Sequence, residues 1–184
     1  MEFRDAATLD AHLPHLREAP AEVGTLDMVV RRPAVDEREV LTEATLSQDG
    51  GLDGDNWLDR STSRAIESGR HLDAQINVMS ARMASFLAFD DVDRWALAGD
   101  QLFLDLDLSH ENLPTGTRIA IGEDAVIEVT KKPHNGCAKF RARYGQDALD
   151  FVNSETGQAM RLRGFNARVV SDGTVRPGDK VTRL

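Results

Sequence analysis

Cysteine is nearly missing from this 184-residue chain: Cys137 is the only one, so no disulfide can form within it and the fold does not depend on an oxidising compartment. Aromatic residues are scarce at 5% of the sequence. No stretch approaches the ~18 consecutive apolar residues of a membrane-spanning helix. The first residues, Met1-Glu2-Phe3-Arg4-Asp5, put no apolar run behind a basic start, which reads as a cytoplasmic chain with no membrane partner. Positive charge is also in deficit, with 22 Lys and Arg against 31 Asp and Glu and a net charge of −9. General binding to nucleic acid or to an acidic membrane needs a broad basic face, and this balance argues against it. No glycine-rich phosphate loop of the Walker or dinucleotide type is present. One cysteine and five scattered histidines close no tetrahedral zinc site.

What the chain does have is one concentrated basic stretch, and it surrounds the single thiol. From Lys131 to Arg143 there are five Lys or Arg and no Asp or Glu, leaving 17 basic residues for the rest of the chain. Neighbouring cations stabilise a thiolate over a thiol, and such settings bring a cysteine from ~8.5 to between ~3.5 and ~7.5. Cys137 is therefore a candidate nucleophile or soft metal ligand. The competing reading of a lone cysteine is a small buried hydrophobe. Pro133 and Gly136 favour the first, because they mark a loop, and loops run over the surface and carry function. A small basic patch on an acidic protein suits one anionic small molecule.

The length fits one domain with an extension. Residues 1–22 read as a helical extension, with Leu9, Leu13 and Leu16 at helical spacing and Pro14 interrupting them. Residues 23–184 read as the main domain. Val23 to Arg32 and Val40 to Leu46 are rich in β-branched residues and are expected to be strands. Asp49 to Asp55 is a turn cluster that resembles a calcium loop only superficially, since Trp57 and Leu58 stand where the fifth ligand and the obligatory glycine would be. Asp59 to Gly69 reads as an exposed polar loop, with Arg60 and Arg64 away from any anion site. Ala74 to Met79 is a further expected strand, and Ser80 caps the helix that carries Met83, Phe86 and Leu87.

Leucine at every second position from Leu102 to Leu108 predicts a strand with one buried face, leaving Asp105 and Asp107 together on the other, as a solvated face or a cation site. Thr117 to Ile121 and Ala125 to Thr130 form an expected hairpin that delivers the chain into the cysteine stretch. Asp147 to Val152 and Thr156 to Leu162 are helical in pattern, and Ala167 to Val170 and Lys180 to Val181 close the set of strands. Seven or so short strands with few helices predict a mainly β (α+β) fold, a closed or partly closed β-barrel with short helical insertions.

His134, three residues before Cys137, is a candidate partner for a Cys/His nucleophile pair, although such partners are usually remote in sequence. The stretch Lys132-Pro133-His134-Asn135-Gly136-Cys137-Ala138-Lys139-Phe140 follows a strand. Together with Glu111-Asn112-Leu113, Gly50-Gly51-Leu52-Asp53-Gly54-Asp55 and Gly178-Asp179-Lys180-Val181, it resembles the MOSC domain, the family named for the C-terminal domain of molybdenum cofactor sulfurases. The resemblance runs from about Val23 to the end of the chain. It implies a barrel that binds the molybdenum cofactor, an anionic pterin (molybdopterin), with Cys137 either carrying sulfur as a persulfide or ligating molybdenum. Lys132, Lys139 and Arg141 are the expected phosphate holders. Asn112 either lines the same pocket or is a turn asparagine bonding its own backbone. The 184 residues show no pyridoxal-phosphate desulfurase domain, so the chain is expected to bind no pyridoxal phosphate itself and to rely on a separate cysteine desulfurase or electron donor. The function classes left open are a sulfur transferase, a molybdenum-dependent oxidoreductase of the amidoxime-reducing type, and a non-catalytic module that holds or delivers the cofactor.

Overall fold

Strand β1 (Val23–Arg31) is the seam on which the barrel closes. In this computed structural model, which describes residues 2–184, β1 is followed by β2 (Glu39–Leu41), β3 (Ala44–Ser47), β4 (Gly51–Leu52), β5 (Ile76–Ser80), β6 (Leu102–Asp105), β7 (Arg118–Ile121), β8 (Ala125–Val129), β9 (Phe165–Ser171), β10 (Gly173–Val175) and β11 (Lys180–Arg183). The main sheet runs β11-β7-β8-β9-β5-β6-β1, and pairing of β11 back onto β1 makes a closed barrel of seven strands. Only β5 and β6 are parallel; the other barrel pairs are antiparallel. β2 hangs on the edge of β1, and β10, β3 and β4 make a separate small sheet. The expected barrel is borne out, including the β7–β8 hairpin.

The barrel has two cores because its strands alternate. Leu26, Val29, Val78, Leu102, Leu104, Ile127 and Val181 fill the interior. Met28, Val30, Met79 and Phe103 point outward and are buried under helices. Those helices are α1 (Ala6–Arg17), α3 (Ala81–Ala88), α5 (Ala138–Tyr144) and α6 (Gln146–Asn153); the shorter α2 (Ser63–Glu67), α4 (Val92–Trp95) and α7 (Glu155–Ala159) complete the set. Ser80 caps α3 as expected, its hydroxyl accepting from the Met83 N–H at 3.3 Å. Among the described residues no helix is long and apolar enough to cross a membrane.

Four sequence expectations are corrected. Pro14 does not interrupt α1, which runs through it, and both Pro14 and Asp10, whose carbonyl it cannot bond, are exposed residues. The run from Val40 to Leu46 breaks into β2 and β3, which join different sheets. Residues 59–69 contain the one-turn helix α2. The leucine alternation ends its strand at Asp105, and its first half is buried on both faces, since Phe103 meets the helices while Leu102 and Leu104 face the barrel. Asp105 pairs with Arg82 at 2.6 Å, and Asp107 accepts from the Ser109 N–H at 3.0 Å, so the two carboxylates have separate partners.

Candidate functional site

The cysteine segment leaves β8 at Thr130, whose hydroxyl donates to the Asp73 carbonyl at 2.6 Å. From Lys131 to Gly136 it has no regular structure, and side-chain amides hold it instead. Asn166 of β9 donates to the carbonyls of Lys132 and Pro133 at 3.1 and 3.0 Å. Its own oxygen accepts from Asn77 at 2.6 Å, and Asn77 accepts from Arg32 at 2.6 Å. Arg32 is gripped by both oxygens of Asp55, each at 2.8 Å, with both charged groups almost fully buried. The Gly-Asp turn around Asp55 is thus tied to the cysteine segment through Arg32, Asn77 and Asn166. At the other end Asn153 of α6 clamps Gly136, accepting from its N–H at 2.9 Å and donating to its carbonyl at 3.1 Å. A Cβ on Gly136 would lie 2.8 Å from Leu149, which explains a glycine one residue before the thiol. Cys137 itself is exposed, caps α5 with its backbone, and its side chain makes no capping hydrogen bond.

Behind this segment lies a buried ion cluster. His134 Nε2 meets Asp100 Oδ1 at 2.6 Å, and the other oxygen of Asp100 accepts from Arg163 at 2.6 Å. Arg163 also donates to the Ala98 carbonyl at 3.1 Å and lies over the Phe140 ring. Burial works to raise the Asp100 carboxyl, but Arg163 and His134 beside it outweigh that, and the net direction is down. His134 is pulled below its ordinary value first by burial and then by Arg163, against the opposing influence of Asp100. With Asp100 ionised and His134 neutral, Nε2 carries the proton and is committed to Asp100. Its position fixes the segment; nothing directs it at the thiol.

A pH dependence follows. The unfolded chain takes up the His134 proton at a higher pH than the folded chain does, so stability is lost as pH falls below about 6.5. His12 and His110 are lowered by burial as well and act in the same direction. Tm is expected to fall between pH 7 and pH 5.5, and more shallowly for His134→Gln. Equal slopes for the two proteins would show that His134 is not the buried neutral group described.

Cys137, Lys132, Lys139 and His134 all line one cleft of about 910 Å³. Nine Lys or Arg side chains line it against two carboxylates, Asp36 and Asp73, a reversal of the −9 carried by the whole chain. Two of the expected site residues stand elsewhere. Arg141 lies outside the cleft because the helix begins directly after Cys137: Lys139 and Arg143, four apart, share the face toward the cleft, and Arg141, two residues on, turns away. Asn112 is buried at the far side, donating to the carbonyls of Ala21 and Asp107 and accepting from Arg183, each at 2.8 Å. Lys139 is partly neutralised by Asp36 at 2.8 Å.

The sequence reading missed Arg38 and Arg60, which line the same cleft. Burial, then the like charges of Arg143, Arg32 and Arg60, pull Arg38 below its ordinary value, and its Nε is buried without a partner among the described residues. Arg60, expected to be remote, makes no ion pair among the described residues. The one sequence signal for this part of the cleft was a polar stretch rich in arginine directly after the Gly-Asp turn. The site can therefore draw in an anion and present an accessible thiol to it. Among the described residues no three His, Cys, Asp or Glu side chains converge as a metal site, so Cys137 would give a metal one ligand.

The family model for the MOSC domain matches residues 98–182, from just before Asp100 through the cysteine segment to β11, and the resemblance seen around Cys137 is borne out. Among solved structures the YuaD protein from Bacillus subtilis is 16% identical, with a TM-score of 0.60 over 86% of this chain and 94% of that one. YiiM from Escherichia coli is 18% identical, with a TM-score of 0.53 over 87% and 69%. YiiM from Geobacillus stearothermophilus is 14% identical, with a TM-score of 0.51 over 89% and 73%. At these identities the likeness is one of fold. No curated protein sequence matches the chain at a significant level.

Proposed function

We propose that the chain binds the molybdenum cofactor in the cleft and that Cys137 is the thiol that handles sulfur or molybdenum there. One observation carries this reading: an exposed thiol without a capping bond lies on the wall of a cleft of about 910 Å³ lined by nine cations. That volume is in the ~300–1,000 Å³ range of small-molecule sites. The donor set also fits an anionic pterin, because Arg38 and Arg60 have no carboxylate partner among the described residues and the exposed Lys132 lines the same cleft as the thiol. The cofactor would supply a soft molybdenum centre with affinity for sulfur. Lys132, Lys139, Arg38 and Arg60 would hold its negative charge; Arg141 and Asn112 would not.

As a sulfur carrier, the Cys137 thiolate attacks the outer sulfur of a donor persulfide. A new S–S bond forms on Cys137, the donor S–S bond breaks, and the donor leaves as its thiolate, so atoms and electrons balance. A separate pyridoxal-phosphate-dependent cysteine desulfurase is the donor this step calls for. In the second reading Cys137 ligates molybdenum, and the partner is an electron donor. The same exposed position serves both, and chemical analysis separates them. Protein purified from a cofactor-producing host is expected to show either a mass increase of one sulfur atom on Cys137 or stoichiometric molybdenum lost on Cys137→Ser. Cofactor retained without either result would leave a delivery module; no cofactor and no added sulfur would sink the proposal.

Charge reversal tests the binding wall. Arg38→Glu or Arg60→Glu is expected to weaken cofactor binding about tenfold or more, since a charge-assisted hydrogen bond is worth roughly 1.5–3 kcal/mol and reversal adds repulsion. Arg141→Glu is expected to change affinity less than about twofold, through long-range screened charge alone. Equal losses at Arg60 and Arg141, measured by titration calorimetry, would mean that overall charge and not this wall governs binding.

A further inference from the structure

One wall of the cleft is unlike the rest. Residues 58–70 contain no buried residue, although the chain on either side is anchored: Trp57 is 5% exposed, with its ring N–H on the Gly50 carbonyl at 2.7 Å, and Asp73 accepts from Thr130. Every hydrogen bond recorded for residues 58–70 stays between Asn56 and Leu72, as in Ser61 to the Trp57 carbonyl at 2.9 Å, Arg70 to Ser68 at 3.0 Å and His71 with the Ala65 carbonyl at 3.3 Å. The segment therefore hangs from two fixed points with almost nothing holding it to the barrel. Few buried contacts and purely local hydrogen bonding mark chain that opens at low free-energy cost. Gly69, at φ 71° with open space where a Cβ would be, gives it a point of rotation near one end.

The inner side of the same segment lines the cleft through Arg60, Ser61, Thr62, Ala65 and Arg70. Its two cleft-lining arginines stand at its two ends, and neither has a carboxylate partner among the described residues. Cations held at the ends of a loosely attached flap, facing a cleft already crowded with positive charge, repel their surroundings until an anion arrives. We propose that residues 58–70 form a flap that closes over the cleft when a multiply charged phosphoryl group bridges Arg60 and Arg70. This rests on the reading of the cleft as an anion site and adds to it a moving part and the groups that move it. Closure shields the thiol end of the cleft from water and makes retention of the ligand depend on charge remote from Cys137. Arg64, which does not line the cleft, stays on the outer face of the flap and is the natural reporter of its state.

Limited trypsin digestion of the full chain, with inorganic pyrophosphate as the probe, tests this. Binding is measured in parallel by calorimetry, and digestion of the unfolded chain at the same pyrophosphate concentration corrects for any effect on the protease. Cleavage after Arg64 is expected to be rapid in the free protein and slowed about tenfold or more by pyrophosphate, because cutting follows the population of open flap. The Arg60→Gln/Arg70→Gln variant retains the Arg64 bond and is expected to lose that protection. Pyrophosphate bound with unchanged cleavage at Arg64 would overturn the flap and leave the anion site standing. Protection that survives in the double variant would overturn the assignment to Arg60 and Arg70. No binding of pyrophosphate would overturn both the flap and the anion reading beneath it.

Discussion

Cys137→Ser is expected to abolish sulfur loading and thiol-dependent molybdenum retention outright while leaving the fold as it is. Serine keeps nearly the size of cysteine but loses the soft, polarisable sulfur, so it forms no persulfide and is a poor ligand for a soft metal centre. The fold does not notice, because the thiol is exposed and makes no capping hydrogen bond, and α5 is capped by the backbone at that position. Exposed substitutions of this kind stay within about 0.5 kcal/mol, which is roughly 1–2 °C in Tm for a chain of this size. Intact mass after incubation with a desulfurase and cysteine should show one added sulfur on the wild-type chain and none on the variant, with superimposable thermal melts. A variant that melts more than about 5 °C lower would return Cys137 to the role of packing residue. One that loads sulfur normally would move the chemistry away from Cys137 altogether.

How far the site was legible follows from how it is assembled. Cys137, His134, Lys132 and Lys139 are adjacent in sequence, and their charge against an acidic background was enough to single them out. Arg141 was drawn in by the same adjacency. Pro133 and Gly136 signalled a loop, and nothing in the pattern said that a helix starts at Ala138 and turns Arg141, two residues after Lys139, away from the cleft. Two cleft arginines were hidden for a different reason: Arg38 and Arg60 come from segments about 100 and 77 residues before Cys137 and share its cleft only through the tertiary fold. Closure itself depends on β11 returning to β1, a non-local pairing that two short runs of residues do not announce. The β7–β8 hairpin, by contrast, has its turn in Gly122-Glu123-Asp124 and could be read locally. Asp100 gave no local signal, since it follows an unremarkable Ala-Gly pair and acquires its meaning from His134 and Arg163, 34 and 63 residues away.

Asp100→Ala is the substitution expected to cost the fold most. Its side chain is fully buried and lies between His134 and Arg163, whose side chains are 15% and 7% exposed. Removing the carboxylate leaves the Arg163 guanidinium buried and uncompensated, and breaking such a pair from one side costs about 3–5 kcal/mol. For a chain of this length that is a fall in Tm of roughly 6–20 °C. His134→Gln is expected to cost much less, because the Asp100–Arg163 pair survives it. Replacing both charged partners, as Asp100→Leu with Arg163→Met, should recover part of the loss, since no charge is then stranded. The damage reaches function through geometry: His134 is anchored to Asp100 and sits three residues before the thiol, so slack in that anchor leaves only the amides of Asn166 and Asn153 to hold the segment. Sulfur loading by Asp100→Ala, measured well below its lowered Tm, is therefore expected to fall even though Cys137 is intact, and the Leu/Met pair should recover part of the stability without restoring loading. A drop in Tm below about 2 °C would show that the cluster is not a closed buried pair. Full loading by a protein destabilised as expected would show that the ion cluster supports the barrel alone and has no part in positioning Cys137.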